Sequence, residues 1–373
     1  MASTEASTEE RNGGDFEAIC GVSAIIPDGA YAKICEFENL YRAHKRARRG
    51  KRYKAEVMRF ELSLNANLHE LKRELENETY AIDGYKTFRI REPKERLIQS
   101  LPYRDRVVQH SLCDNVLGPY LETRLIDNNV ACRVGKGTLY GLDRLREFLR
   151  SHHRGHGTEG YILKGDVANY FGSVDHESLK SMLWPHIGDK RLRRLLEGII
   201  GSTPDGVGLP LGNMTSQWFG LFYLDPLDRL VKERLRVKRY VRYMDDFVLV
   251  HEDKFFLKHC LVRIRALFNE RLKLRLNAKT QIFPVKNGVD FLGFHTYLTE
   301  TGKVIRKLRH DSAKRMKRKA RAFVEKYRND ETDSEVIERS LYSWLGHAEH
   351  GDTWGLRRAI LDKLILTKEE TGR

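Results

Sequence analysis

The sequence predicts an α+β fold, an antiparallel sheet with helices packed on one face. Three observations carry this. Between residues 160 and 300 the patterning runs strand, helix, helix, hairpin, helix, strand. One stretch, RYVRYMDDFVLVHED (Arg239–Asp253), has two apolar, β-prone runs meeting at a pair of carboxylates, the pattern of a hairpin. Upstream, Leu62, Leu68, Leu71 and Leu75 recur at helical spacing.

A chain of 373 residues with 40% hydrophobic content can bury one large core, or two to three subdomains sharing one. Its net charge of +15 points to a polyanionic partner, most simply nucleic acid, although a merely soluble basic protein has the same composition. The five cysteines (Cys20, Cys35, Cys113, Cys132, Cys260) form no CxxC pair. That argues against a zinc knuckle or a disulfide framework and suits a reducing compartment. No apolar run is long enough to span a bilayer, so no membrane association is expected.

Taken in order, residues 1–14 (MASTEASTEERNGG) are small and polar, with no basic n-region and no apolar h-region, and read as a disordered tail. Phe37–Tyr80 reads as helix, and its basic block from Arg42 to Lys54 is expected to contact RNA rather than only solvent. Residues 84–103 alternate and carry turn residues, which predicts short strands; 104–124 and 138–150 look helical around the Gly/Lys loop ACRVGKGT. The histidines of SHHRGHG lack a Cys or carboxylate to complete a metal set, so that segment reads as a flexible loop. GYILKGDVANYF (160–171) is a strand entering a turn, followed by a helix at 175–187 capped by Asp175 and another at 190–200. The Gly/Pro-rich GSTPDGVGLPLGNMTSQ leads to an amphipathic helix interrupted at Pro226, then to the hairpin, a helix at 254–273, and strands around KTQIFP and VDFLGFHTYL. From Val304 the tail reads as basic helix, and there is no internal repeat.

The carboxylates pose the chemical question. Adjacent like charges repel, and a strand centre disfavours Asp. Asp166 ends one apolar strand (Tyr161, Ile162, Leu163) and Asp245 sits at the hairpin tip. If those strands are neighbours, the carboxylates converge at one end of the sheet and suit two divalent metals that serve a phosphoryl displacement. Consecutive strand residues point to opposite faces, so Asp245 and Asp246 are expected to be unequal, with Asp245 the stronger ligand. A plain hairpin turn explains DD taken alone; Asp166 on a second apolar strand makes that explanation insufficient.

At these residues the chain resembles reverse transcriptases. YMDD (243–246) is similar to their catalytic hairpin, KGDVANYF (164–171) to their first metal-binding strand, FLGF (291–294) to the primer-grip strand, and RDRVVQH (104–110) to the fingers helix of bacterial members. The likeness runs from about Phe37 to the C-terminus. The loop GLPLGNMTSQ (208–217) has Leu211 where most bacterial relatives have Gln and Gln217 where they have Pro. That LGxxxSQ form resembles the reverse transcriptases of diversity-generating retroelements, as do ACRVGKGT, SWLGHAEHGDTWGL and FENLYRAHKRARRGKRY. Two features depart from the pattern. The stretch GVSAIIPDGAYAKIC falls outside the family likeness, and NANLH (65–69) spells a retron signature in the wrong place, so it reads as a coincidence.

The resemblance implies a right-hand polymerase. Residues 1–34 would be an extension, 35–159 the fingers with N-terminal basic helices, 160–300 the palm (176–207 partly fingers) and 301–373 a helical thumb. Asp166, Asp245 and Asp246, with the Val167 carbonyl, would hold two Mg²⁺ ions, for which Mn²⁺ can substitute. Phe171 would be the steric gate against a ribose 2′-hydroxyl rather than a core residue, a place its neighbour Tyr170 could take instead. Lys94 and Arg96 would meet the triphosphate, with Arg104 and Arg106 as competitors. Leu211, Gly212 and Gln217 would lie by the nascent base pair, and Lys279 near the leaving pyrophosphate. Tyr243, Met244, Leu292 and Gly293 would support the primer, and Arg315 and Lys319 in RKLRHDSAKRMKRKARAFVEKYR would grip the duplex backbone.

The family reading also implies a cytoplasmic protein, bacterial or phage-encoded, that copies template-repeat RNA into adenine-mutagenised cDNA. Its partners would be that RNA and the RNA/cDNA duplex, dNTPs, and a small helical oligomeric accessory variability protein. The alternative enzyme is an antiviral-defence or retron-type reverse transcriptase. A catalytically dead RNA-binding scaffold is disfavoured because all three carboxylates are present.

Overall fold

A computed structural model describes residues 25–91 and 95–367, so the expected tail (1–14) and Lys94 lie outside the described residues. The fold is α+β with antiparallel sheets, as the patterning predicts. The described residues form two compact units. One runs to Val134 and adds Gly165–Lys238 and Cys260–Thr280; the other comprises Gly135–Lys164, Arg239–His259 and the chain from Gln281.

In the first unit, Phe37–Tyr80 is not one helix but three: Phe37–Ala47, Ala55–Leu62 and Leu64–Glu76. Gly50 takes φ 68°, which a continuing helix excludes, and the linker between the first two helices is nearly all Lys, Arg and Gly. Leu68, Leu71 and Leu75 are buried as their spacing predicts, worth about 1.5–3 kcal/mol each. Leu62 instead ends its helix at the Ser63 break and is 85% exposed. These helices pack on Tyr103–Leu112, where ion pairs Arg104–Glu74 and Arg106–Glu56 tie the elements together.

The stretch GVSAIIPDGAYAKIC, from Ile25 onward, is docked rather than loose. Ile26 bridges Ile187 in parallel, and Asp189 accepts from the N–H groups of Gly29 and Tyr31 while also capping helix Lys190–Ile200. Strands β1 (Lys86–Ile90) and β2 (Arg96–Ser100) are the predicted short strands, and they pair antiparallel. Asp175 caps His176–Leu183 through Ser178 N–H at 2.8 Å, again as predicted. The amphipathic helix breaks at Leu224, and Pro226 lies in the first turn of Asp225–Arg229.

The second unit is built on two sheets. Strands β3 (Tyr161–Gly165), β4 (Arg239–Tyr243), β5 (Asp246–His251) and β6 (Gln281–Pro284) are ordered β4-β5-β3-β6. Strands β7 (Val289–Phe291), β8 (Phe294–Leu298) and β9 (Val304–Leu308) form the other. Strand β9 corrects the expectation of helix from Val304. Gly302, at φ 79°, turns the chain so that the β-branched pair Val304–Ile305 lies against Tyr297 and Leu298. Helix Thr138–His156 runs through SHHRGHG, which is therefore not a flexible loop. His152 continues the buried stripe of Leu145 and Leu149, and Gly157, at φ 59°, ends the helix. The tail beyond β9 is helical at His310–Arg328, Ser334–Ala348 and Trp354–Leu361, with Met316, Ala320 and Ile360 packed together. No helix among the described residues is long and apolar enough to cross a membrane.

Candidate active site

The hairpin resolves the placement of its two carboxylates. Tyr243 pairs with Asp246, which leaves Met244 and Asp245 as a two-residue tip, while Asp246 opens β5. The two are therefore not equivalent strand residues. Met244 has φ 53°, a conformation that two-residue hairpin turns demand and that usually selects Gly or Asn. Such a residue costs of order 1–3 kcal/mol and must be held by its surroundings. Met244 is buried, and the wholly buried Arg242 donates from Nη1 to the Met244 carbonyl at 2.8 Å. Asp245 and Asp246 are half-buried. Asp246 forms an ion pair with Lys164 of β3, whose ammonium also lies 5.1 Å from the centroid of the Phe291 ring.

The FLGF segment is the tight turn that joins the end of β7 to the start of β8, not one continuous strand. Phe291 pairs with Phe294 across Leu292 (φ 48°) and Gly293 (φ 89°), the two positive values that mark a primed turn. A Cβ on Gly293 would come within 3.2 Å of His347 Nε2, so both space and conformation call for glycine. Arg315 and Lys319 are exposed on His310–Arg328, flanking its buried Met316, Ala320 and Phe323, with the Lys319 ammonium 5.3 Å from the centroid of the Phe323 ring.

In the first unit, Asp166 follows β3 directly and is half-buried. Its carboxylate accepts from Asn277 Nδ2 at 3.1 Å, and its carbonyl from Asn277 N–H at 2.7 Å. Ala168 N–H donates to the Arg275 carbonyl at 2.9 Å, which makes Val167 and Leu276 a non-hydrogen-bonded pair. In such a pair each residue's own C=O points away from its partner, so the Val167 carbonyl faces outward from this bridge. Lys279 is exposed, and its N–H donates to Asn277 Oδ1.

The remaining described nucleotide-side candidates belong to this same unit. The Leu211 carbonyl accepts from Gln99 N–H of β2, the strand that Arg96 begins. Gly212, at φ 119°, packs beside β2, where a Cβ would make an ordinary 3.4 Å contact with the Gln99 carbonyl. Leu209 N–H donates to the Phe171 carbonyl at 2.7 Å, so the loop is stapled to the Phe171 segment as well. Tyr170 is core, with its hydroxyl on the Gly220 carbonyl, and Phe171 is only half-buried. Gln217 and Arg96 are exposed. Arg104 and Arg106, the competitors for phosphate, form ion pairs with Glu74 and Glu56.

The candidate metal ligands are all oxygen atoms, the set that Mg²⁺ prefers, and so they fit such an ion. Among the described residues no three His, Cys, Asp or Glu side chains form a metal-binding group; Asp246 is neutralised by Lys164.

A family description of reverse transcriptases (RNA-dependent DNA polymerases) matches residues 90–296. The chain belongs to the reverse transcriptase family. Among curated proteins, this reverse transcriptase is 28% identical over 174 residues to Protein YkfC of Escherichia coli (strain K12). That match takes in 36% of this chain and 46% of YkfC, so the chain spans about half the length of the curated relative. Among solved structures it is similar to telomerase from Candida albicans in complex with a fragment of telomeric RNA (TM-score 0.47, 13% identity, 78% of this chain and 61% of that one). Apo telomerase from Candida tropicalis, truncated from its C-terminal domain, gives TM-score 0.46 and 14% identity over 60% of this chain and 55% of that one.

Four residues of this reverse transcriptase escaped sequence reasoning: Asn277, Arg242, Lys164 and Gln109. Gln109 is buried and its Oε1 accepts from Met214 N–H, capping the helix Met214–Tyr223, which begins inside LGNMTSQ rather than after it. Only Lys164 carried a signal, since strand alternation puts it on the same face as Asp166.

Proposed function

We propose that the chain is an RNA-directed DNA polymerase, the reverse transcriptase of a diversity-generating retroelement. In this reading it copies template-repeat RNA into cDNA with substitutions at adenines, used to rewrite a variable gene region. The observation that carries the polymerase reading is the hairpin, whose two-residue tip presents Asp245 while Asp246 opens the strand beside β3. Asp166, Asp245, Asp246 and the Val167 carbonyl would hold two Mg²⁺ ions. When bound, the ions supply stabilisation of the charge that develops in an in-line phosphoryl displacement.

The chain's own residues do the rest. Asn277 orients the Asp166 carboxylate, and Arg242 holds the hairpin tip. Phe171 crowds a 2′-hydroxyl, while Arg96 and Lys94 meet triphosphate oxygens. Gly212 and Gln217 approach the nascent pair, and Lys279 lies near the leaving pyrophosphate. Tyr243, Met244, Leu292 and Gly293 support the primer end. Arg315 and Lys319 hold the duplex by its phosphates, and the basic block from Arg42 to Lys54 contacts RNA. Fingers at 35–159, palm at 160–300 and thumb at 301–373 remain the functional division, with an accessory variability protein as partner.

The retroelement type is supported by the LGNMTSQ loop, which the Leu211 and Gly212 backbone docks on β2 beside the proposed nucleotide contacts. Leu211 puts an apolar side chain where a polar one would help to discriminate base pairs. The test is to sequence cDNA made on a defined RNA. Substitutions concentrated at template adenines support the reading; an even, low error spectrum from active protein refutes it.

A further inference from the structure

Lys164 is the residue of this site with no assigned task. It is the penultimate residue of β3, in register with Gln281 of β6, and β3 is hydrogen-bonded to β5, the strand that Asp246 opens. The Lys164–Asp246 pair is thus held by the sheet. Its side chains are only 18% and 29% exposed, so water screens it less than a surface pair. A half-buried carboxylate needs a counter-charge, and an ammonium and a divalent cation compete for the same two oxygens. Lys164 also has a second place to rest, because its ammonium already lies within cation–π reach of the Phe291 face.

We propose that Lys164 is a positioning residue that competes with divalent metal for Asp246. It holds the carboxylate in place in the metal-free enzyme and must withdraw toward Phe291 before Asp246 can ligate. The metal affinity of the site is therefore set by the strength of a lysine contact. This rests on the reading of Asp246 as a metal ligand.

The experiment uses the full chain and Mn²⁺, with free ion followed by electron paramagnetic resonance. Lys164→Met keeps the stem over Phe291 and removes the charge. It is expected to tighten Mn²⁺ binding about ten-fold, between the small effect of a surface pair and the large one of a buried pair. In wild-type protein, Mn²⁺ is expected to raise the acetylation of Lys164 by acetic anhydride several-fold, read by mass spectrometry. In Asp246→Asn, Lys164 is reactive from the start. If Lys164→Met binds Mn²⁺ within two-fold of wild type, or if tighter binding comes with no change in Lys164 reactivity on adding Mn²⁺ to wild-type protein, competition is overturned. Should Asp246→Asn bind Mn²⁺ as wild type does, Asp246 is not a ligand, and the underlying reading fails with the proposal.

Discussion

Asn277→Ala is the most informative single substitution outside the carboxylates. Asn277 donates from Nδ2 to Asp166 Oδ2 at 3.1 Å, and its backbone N–H donates to the Asp166 carbonyl at 2.7 Å. The alanine variant keeps the backbone bond, so Asp166 stays in place while its carboxylate loses its orientation. A hydrogen bond to a charged group contributes about 1.5–3 kcal/mol. Asp166 is half-buried, which selects the low end, and about 1.4 kcal/mol is a factor of ten. Single-turnover incorporation of one nucleotide, at saturating Mg²⁺, should therefore slow about ten-fold with little change in melting temperature. Asn277→Asp should be worse, about a hundred-fold, because it exchanges the donor for a second negative charge beside Asp166. An Asn277→Ala rate within two-fold of wild type would refute the assignment of Asn277 as the residue that orients Asp166.

Three further outcomes are expected. Asp189 is buried, which alone would raise its carboxyl pKa, but N–H donors from Tyr31, Leu192, Arg191 and Gly29 bring it below the usual value. A depressed carboxyl pKa gives stability that is present above the unfolded-state value and lost as pH falls through the folded-state one. Asp189→Ala should cost about 2–3 kcal/mol in urea unfolding at neutral pH, and its deficit should shrink below about pH 4. The double variant Arg315→Glu, Lys319→Glu should weaken binding to an RNA/DNA duplex and flatten its dependence on log salt, measured by fluorescence anisotropy; an unchanged slope would take these residues off the duplex. Leu211→Gln, or a change at Arg96, should lower the substitution frequency at template adenines, read by sequencing cDNA; an unaltered adenine spectrum in both would remove the loop from the fidelity argument.

What the sequence made legible followed from local pattern. The hairpin, the cap at Asp175, and helix Lys190–Ile200 are all set by alternation, spacing or capping within a few residues. Misreadings arose where composition masked period. In VIRKL the basic residues continue the charge of the following helix, and only pairing with β8 reveals a strand. SHHRGHG looked polar because a histidine on the buried face is not scored as apolar, yet His152 is fully buried there. Leu62 lies six residues before Leu68, a step off the helical period, and it ends a separate helix from the one that carries the buried stripe.

The site shows the same division. Asp166, Asp245 and Asp246 are legible as candidates because charged residues at strand ends conflict with local preference, the kind of conflict expected at functional sites. Asn277 was not, because its partner lies 111 residues earlier in the chain and nothing in LNAKTQI marks the asparagine. Arg242 was hidden for a different reason. A strand arginine reads as solvent-facing, and only the buried tip it supports, with Met244 at positive φ, explains its position.

The most direct test is extension of a DNA primer on an RNA template with dNTPs and Mg²⁺, comparing the wild-type chain with Asp245→Asn, both supplied with any RNA or protein partner the reaction requires. The hairpin account predicts extension by the wild type and loss of detectable product in the variant, with Asp246→Asn equally or less impaired. Extension by Asp245→Asn at the wild-type rate would contradict it.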